Sequence, residues 1–476
     1  MTDATKTSRA SKLSIGRIWA FSSTGIPSAA LALATGTYLA PFYTGHVGIS
    51  LTVFALTTTL VRLFDLTLDP ILGWMMDKTF TRWGRFRPWY VIGTPIGMLG
   101  GYMLLNPPAG ADWVYLAIWY LVLWIGLSIT TLAHASWGAA LAINYHERSR
   151  IYGWMTALAP IGSLGLLVLP LFTHRTLVLG DPGSFHTISL MIMAAIPVGA
   201  ILMLAFTPER PRAVSVQRNF GLGDYWAMIT RPTMAKLILA DLAYTLGPGV
   251  TSPLYAFYFG QIKGFSRPEV GFLLIFYIGA ALIGGMFWPI LARRISKHRA
   301  IQIASVFYAI TQVSLMLIPR ELFSLTALGM VTVGFCVSAF ILLIRSMVAD
   351  YADEVRLETG EERAGVLYAM VTTTQKIGAS MNVLLVFPLL QFIFHFDPKK
   401  LVNDPFALQG LQLCYLFAPV IFVFVGAALF FGYTLDESRY VAIREALDDR
   451  DAEEEKAMAA EPTTGASVPG GAPATA

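Results

Sequence analysis

Apolar blocks of about twenty residues recur along almost the whole chain, and no other feature restricts its fold as strongly. A block of this length is what an α-helix needs to cross the hydrocarbon core of a bilayer. Only 13% of the 476 residues are charged, about half of the roughly 25% typical of soluble domains. We therefore predict an all-α membrane protein with twelve spans, at about residues 15–42, 49–76, 88–106, 112–143, 151–173, 184–207, 233–261, 268–292, 299–318, 323–351, 364–395 and 410–435.

The longest loop divides the spans into two sets of six. We expect a polar N-terminus (1–14), a first six-helix bundle (15–207), an inter-bundle loop (208–232) and a second bundle (233–435). The tail (436–476) cannot bury a core and should be disordered. Lysine and arginine concentrate in the loops on the side of both termini. Because basic loops stay in the cytoplasm, we expect cytoplasmic termini and a multi-pass monomer in the cell inner (plasma) membrane, surrounded by lipid and without a nucleic-acid partner.

Short loop motifs repeat six spans apart. The loop after span 2 reads G-x3-D and then GRFR between Gly73 and Arg87, and the loop after span 8 reads G-x3-P and then RR between Gly285 and Arg294. The loops after spans 4 and 10 read HERSRIYGWM and EERAGVLYAM, with Glu-Arg at the same distance before Met. Two matches in one register indicate two parallel six-span halves, an arrangement that resembles the major facilitator fold.

Span 2 contains three charged side chains, which are costly in a membrane unless they face a partner or a cavity. Arg62, Asp65 and Asp69 are spaced i, i+3 and i+7, so they share one helical face. The two carboxylates can bind a small hard cation through oxygen, or one of them can carry a proton. A purely structural ion pair with Arg62 is the alternative. We predict no cofactor, only a coupling ion, H⁺ or Na⁺, with any Na⁺ held at Asp65 and Asp69.

Spans 11 and 4 supply candidate substrate-binding residues. Lys376, with Thr372 in the same VTTTQKIG segment, could bind an anionic or hydroxylated solute or swing to the span-2 carboxylates when the site is empty. A permanent structural counter-charge is the alternative. In span 4, Thr131, His134 and Trp137 lie broadly along one side, where ring stacking and hydrogen bonds suit a hydroxylated ligand. A lone intramembrane histidine can instead join two helices.

Charged residues at helix ends are predicted to latch a cytoplasmic gate: Asp77, Arg85, Arg87, Asp350, Asp353 and Arg363. Helix ends must separate when two bundles rock, which favours this role. The alternative is that they set topology and form loose surface pairs worth under about 1 kcal/mol. The sequence contains no Walker A motif, nucleophile elbow or metal-ligand cluster, so we predict neither an ATP-driven pump nor an enzyme.

From span 2 onward the chain resembles a known family. DLTLDPILGWMMDKTFTRWGRFRPW is similar to the signature of the glycoside–pentoside–hexuronide:cation symporters, the melibiose-permease branch of the major facilitator superfamily. MVADYADEVRLETGEERAGVLYA and YHERSR are similar to the family's loops after spans 10 and 4, so the resemblance covers residues 15–435. It implies two six-helix bundles with alternating access and sugar or glycoside uptake coupled to Na⁺, Li⁺ or H⁺. By position, Asp65 and Asp69 match the family's cation-site carboxylates, and Lys376 matches a lysine between the cation and sugar sites.

Three charged positions of the family's sugar site are neutral here. Ala29 stands for a span-1 aspartate, Thr131 for a span-4 acid that joins the two sites, and Thr156 for a span-5 arginine. The family's Pro-Tyr in span 4 becomes Ala133-His134. Thr131 stays a candidate at the cation site and Thr156 at the substrate site. Because fewer anionic ligands bind a hard cation less well, the loss of the third carboxylate favours H⁺.

These observations predict a cation-coupled symporter of a sugar, glycoside or related solute. Neutralising a buried carboxylate removes a large desolvation penalty, which lets the occupied carrier reorient. Transport of an amphipathic or lipid-like solute is an alternative, because the neutral sugar-site positions fit it. A membrane sensor that transports nothing is a third possibility.

Overall fold

The computed structural model describes residues 13–79, 81–141, 145–172, 182–209, 226, 228–360, 364–400, 402–433, 435 and 437–460. These ranges form thirteen principal helices and no strand, which confirms the all-α fold. In chain order they are α1 (Ile15–Val47), α2 (Leu51–Asp77), α3 (Arg87–Leu105), α4 (Trp113–Leu141), α5 (Tyr145–Phe172), α6 (Pro182–Phe206), α7 (Pro232–Thr251), α8 (Arg267–Ile295), α9 (Lys297–Ser314), α10 (Phe323–Thr359), α11 (Ala364–Pro388), α12 (Pro405–Leu429) and α13 (Glu437–Ala460). Two π-helical turns, Tyr258–Ile262 and Leu389–Ile393, follow α7 and α11.

The helices α1–α12 correspond one to one with the twelve predicted spans. Within the described ranges, eight of them are individually long and apolar enough to cross a membrane: α1, α2, α4, α6, α8, α10, α11 and α12. The remaining four, α3, α5, α7 and α9, pack among these eight. The chain is therefore a multi-pass membrane protein.

The tail contradicts one prediction. We expected residues 436–476 to be disordered, but Glu437–Ala460 forms the helix α13. Ile443 and Leu447, four residues apart, are buried, and Arg439 and Arg444 pair with Glu354 and Asp353 of α10 at 2.5 and 3.2 Å. Because the segment is strongly acidic, its two buried apolar positions and the charged partners on α10 could not be recognised from composition. Residues 461–476 lie outside the described residues.

Packing repeats with a shift of six helices, which explains the repeated loop motifs. In the first half α1 packs on α5 and α6, α2 on α4, and α3 on α4 and α6; in the second, α7 packs on α11 and α12, α8 on α10, and α9 on α10 and α12. The two main contacts between the halves, α2 with α11 and α5 with α8, are also related by this shift. The described helices thus form two parallel bundles of six.

The two bundles are joined at one end and separate at the other. On the side opposite to both termini, which we call the far side, one apolar core contains residues of both halves, including Phe42 and Phe259. Thr37 and Ser252 hydroxyl oxygens lie 3.1 Å apart there, across the two halves. On the termini side each half has its own core. The protein is therefore closed on the far side and open towards the termini side.

Candidate functional site

A cluster of polar side chains lies where α2, α4 and α11 meet, midway along apolar helices. Lys376 of α11 donates to Oδ2 of Asp69 on α2, and its Nζ lies 3.8 Å from Oδ2 of Asp65. Ser128 Oγ of α4 donates to Oδ1 of Asp65 at 2.6 Å and lies 3.4 Å from Nζ of Lys376. Because α11 belongs to the second half, this cluster joins the two bundles.

Arg62 supplies a second positive charge. Its Nη1 lies 3.9 Å from Oδ2 of Asp65, and its guanidinium stacks over the ring of Trp124, 3.4 Å from the centroid. This cation–π contact fixes the guanidinium beside the carboxylate. Two carboxylates thus face one guanidinium and one ammonium, so the cluster is neutral when all four groups are ionised.

The two carboxylates differ in how far they are exposed to the opening between the bundles on the termini side. Asp65 is 1% exposed, whereas the side chains of Asp69 and Lys376 are 23% and 22% exposed. Oδ2 of Asp65 and Oδ1 of Asp69 are buried and accept no hydrogen bond from the described residues. A buried acceptor without a donor is costly. A proton or a small cation at these oxygens would remove that cost.

The cluster offers few anionic ligands. No group of three or more His, Cys, Asp or Glu side chains in the described part of the chain is arranged to hold a metal. Asp65, Asp69 and the Ser128 hydroxyl offer oxygen ligands with only two negative charges, and Lys376 competes for the same oxygens. Hard divalent ions usually need more anionic ligands than this.

A second buried carboxylate lies close to the cluster, on α7. Oδ1 of Asp241 accepts a hydrogen bond from Nε2 of Gln375 at 3.0 Å, and Gln375 directly precedes Lys376. Oε1 of Gln375 in turn lies 3.4 Å from Nη2 of Arg345 on α10. Asp241 is 2% exposed, and no described residue donates to its Oδ2. The helix that carries Asp241 packs directly on α11, which the sequence alone does not indicate.

The predicted threonines lie at the entrance to the cluster. Thr131 and Thr372 are exposed and sit about one helical turn closer to the termini side than Ser128 and Lys376. The i, i+3 and i, i+4 spacings keep each pair on one helical face. In this conformation the α4 side chain bonded to Asp65 is Ser128, which the sequence reasoning missed because hydroxyls are common in spans. The side chain of Thr156 lies outside the described residues.

His134 and Trp137 make structural contacts rather than lining the opening. His134 Nε2 lies 2.9 Å from the carbonyl oxygen of Phe21 on α1, and its ring packs 4.2 Å from the Phe21 ring. Trp137 is fully buried, and its Nε1 donates to the carbonyl of Pro208 at 3.4 Å. In this conformation the indole of Trp137 is too buried to stack on a solute, and His134 joins two helices as in the interhelical alternative. The substrate-binding roles of both residues stay predictions.

In the first half, the predicted gate arginines belong to a closed local network. Arg87 Nη2 donates to the carbonyl of Thr207 at 2.6 Å. The amides of Arg85, Phe86 and Arg87 all donate to the carboxylate of Glu209, at 2.5, 2.9 and 3.3 Å. Glu209 was not predicted; only its position just after span 6 could have signalled it.

In the second half, the gate carboxylates also pair within their own bundle. Asp350 binds Lys297 at 2.6 Å, and Asp353 binds Arg444 at 3.2 Å. The side chain of Asp77, and Arg363 altogether, lie outside the described residues. Because the termini side is open here, a latch between the bundles would form in another conformation and stays a prediction.

Comparison with known proteins gives the fold and the family. A family model described as "MFS/sugar transport protein" matches residues 20–437. The crystal structure of a bacterial homologue of the human lysosomal transporter Spinster, inward-facing and unoccupied, superposes with a TM-score of 0.67 at 12% identity, covering 92% of this chain and 99% of that one. This supports a major facilitator fold of twelve transmembrane helices.

The curated relatives are distant in sequence. The lactose permease of Lactobacillus helveticus is 31% identical over 43% of this chain, but the match spans only 36% of that protein. The putative glycoside/cation symporter YagG of Escherichia coli K12 is 21% identical, over 86% of this chain and 90% of its own. The sodium-dependent lysophosphatidylcholine symporter 1-B of Danio rerio is 22% identical, over 82% and 81%. Because the family model matches residues 20–437, which include almost all of α1–α12, this chain belongs to the MFS/sugar transport protein family.

Proposed function

We propose that the chain is a secondary active transporter that moves a sugar, glycoside or related hydroxylated solute together with a cation, by alternating access. The observation that carries the proposal is the ion pair between Lys376 and Asp69, which joins the two bundles at mid-depth. Such a contact can respond to ligands, because a ligand that binds two conformations unequally shifts the equilibrium between them.

The coupling step follows from competition for two carboxylates. With no ion bound, Lys376 neutralises Asp69 and lies near Asp65. When a proton or Na⁺ occupies the carboxylate oxygens, the ammonium loses its partner and becomes free to donate to a solute hydroxyl. Solute and ion then occupy the site together. Thr131 and Thr372 border the same opening. Thr372 is proposed to contact the solute, and Thr131 stays a candidate at the cation site.

H⁺ is our preferred coupling ion, because two carboxylates and one hydroxyl make a poor cage for a hard cation. We also propose a cell inner (plasma) membrane location with cytoplasmic termini, as the basic loops indicate. The open termini side would then face the cytoplasm.

Concentrative uptake into proteoliposomes tests this proposal. The wild type, Asp65→Asn and Asp69→Asn are compared across a panel of sugars, with an imposed pH gradient or Na⁺ gradient. Asp404→Asn removes an exposed loop carboxylate and is the matched control. We expect the two span variants to lose accumulation while the control keeps it. Accumulation by either span variant would contradict the coupling role of that carboxylate.

A lipid-like solute is the second candidate, favoured by two observations. The chain aligns over most of its length with a lysophosphatidylcholine symporter. In addition, Ala29, Thr131 and Thr156 are neutral. Adding lysophosphatidylcholine to the same uptake panel separates the two candidates.

A further inference from the structure

A cavity of about 460 Å³ lies outside the transport site, on the termini side of the second half. It is formed between the corner that joins α8 to α9 and the segment after α12. Arg294, His298 and Arg299 line it, and both arginines are exposed. No carboxylate is among its described lining residues. The nearby acids Asp350 and Glu354 are already bound by Lys297 and Arg439.

A buried hydroxyl in the cavity wall lacks a partner. Tyr433 lines the cavity and is 8% exposed, and its OH group makes no hydrogen bond with any described residue. Such a group costs free energy unless a ligand or water satisfies it. The wall also includes Ser438, in the first turn of the 24-residue helix α13, where backbone amides favour an anion.

The first half fills the equivalent place with its own anion. Glu209 lies three residues beyond α6, and its carboxylate binds three amides at the start of α3. Three residues beyond α12, the second half has Gly432. Gly432 lines the cavity, and a Cβ built on it would meet no atom within 4 Å. Its φ of +66° is a left-handed conformation that favours glycine. The internal carboxylate of one repeat is thus replaced in the other by open space beside the start of α9.

We propose that this cavity binds a phosphate group, carried either by an anionic phospholipid head group or by a soluble phosphate ester. Two guanidinium groups can bind phosphate oxygens in bidentate fashion, and basic pockets between helices at a membrane surface bind anionic head groups. The volume exceeds that of a phosphate alone, so the rest of a head group or a small ester fits as well. The proposal stands whether or not the chain transports a sugar.

Thermal unfolding of the purified full chain tests the site. The first arm adds inorganic phosphate in detergent, against sodium chloride of equal ionic strength. The second compares nanodiscs of phosphatidylcholine with nanodiscs that also contain phosphatidylglycerol. Arg294→Gln removes a lining charge, and Arg293→Gln removes its neighbour, which does not line the cavity. Gly432→Asp supplies an internal carboxylate.

We expect a higher unfolding midpoint with phosphate or phosphatidylglycerol for the wild type and Arg293→Gln. Apparent affinity should fall about tenfold in Arg294→Gln, as for the loss of one charge-assisted contact, and Gly432→Asp should not respond. A response to phosphatidylglycerol alone assigns the lipid head group, and a response to free phosphate assigns the soluble ester. No response to either, or equal losses in Arg293→Gln and Arg294→Gln, would overturn the proposal. If Gly432→Asp does not fold, the arginine pair still decides.

Discussion

Replacing Lys376 with glutamine should destabilise the protein and make its stability depend on cations. At 3.8 Å and an effective dielectric constant of about 20, two unit charges interact by about 4 kcal/mol. Partial exposure of Lys376 reduces this figure for its contact with Asp69. Without the ammonium, the two carboxylates face only Arg62. Removing one partner of a buried pair costs roughly 3–5 kcal/mol, so we expect a clear drop in the unfolding midpoint.

The assay is thermal unfolding in detergent, followed by tryptophan fluorescence in NaCl or choline chloride. Adding Asp69→Asn to Lys376→Gln should recover part of the loss, because it removes the unpaired charge. Na⁺ should raise the midpoint of Lys376→Gln more than that of the wild type, because the variant site carries one net negative charge. Lys400 and Asp404 form a matched control, an exposed pair also 3.8 Å apart, and Lys400→Gln should change stability by under about 1 kcal/mol. Equal midpoints for Lys376→Gln and Lys400→Gln, or strict additivity of the double variant, would refute the reasoning.

Three further predictions concern other parts of the fold. The unfolding midpoint of Asp241→Asn should be no lower than that of the wild type, because the variant replaces a buried charge that has one hydrogen-bond donor with a neutral amide. A midpoint several degrees lower would contradict this prediction. Gly126→Leu should prevent stable folding, since a Cβ there would lie 2.2 Å from a backbone nitrogen of α3. The control Gly271→Leu should be tolerated, because a Cβ there would meet no atom within 4 Å. Equal expression and stability of the two variants would contradict the close contact between α3 and α4. The double variant Thr37→Cys, Ser252→Cys should form a disulfide, because the native hydroxyl oxygens are 3.1 Å apart. This disulfide should block uptake until a reductant is added. Full uptake by the oxidised protein would argue against far-side closure as an obligatory state.

The sequence predicted the parts of the structure that are marked by residue patterns rare in other proteins. Blocks of twenty apolar residues are rare outside membranes, so all twelve spans were predicted at the correct places. Charges are rare inside spans, and for this reason Asp65, Asp69 and Lys376 were singled out. No spacing rule relates α2 to α11, so their meeting at one cluster was anticipated only as one of the alternatives for Lys376 and through the family resemblance.

What the sequence could not supply was the rotation of each helix and the conformational state. Hydroxyls are frequent in spans, so nothing distinguished Ser128 from Thr131, one turn away, as the partner of Asp65. The same uncertainty about rotation led to Trp137 being predicted at the site, although its ring is fully buried. Pairing of gate residues depends on which side is open. The tail helix α13 was missed because its partners lie on α10, almost a hundred residues earlier in the chain.

The two seams between the bundles differ in a way that restricts how coupling can work. Neither α5 from residue 151 to 172 nor α8 from residue 270 to 292 contains an ionisable Asp, Glu, Lys, Arg or His. The free energy of opening the α5–α8 seam therefore does not depend directly on bound charge. The α2–α11 seam contains Asp69 and Lys376, and Thr59 of α2 also donates to the carbonyl of Ser380 on α11. Since rocking of rigid bundles changes both seams together, ion binding at the charged seam alone is enough to bias the whole movement.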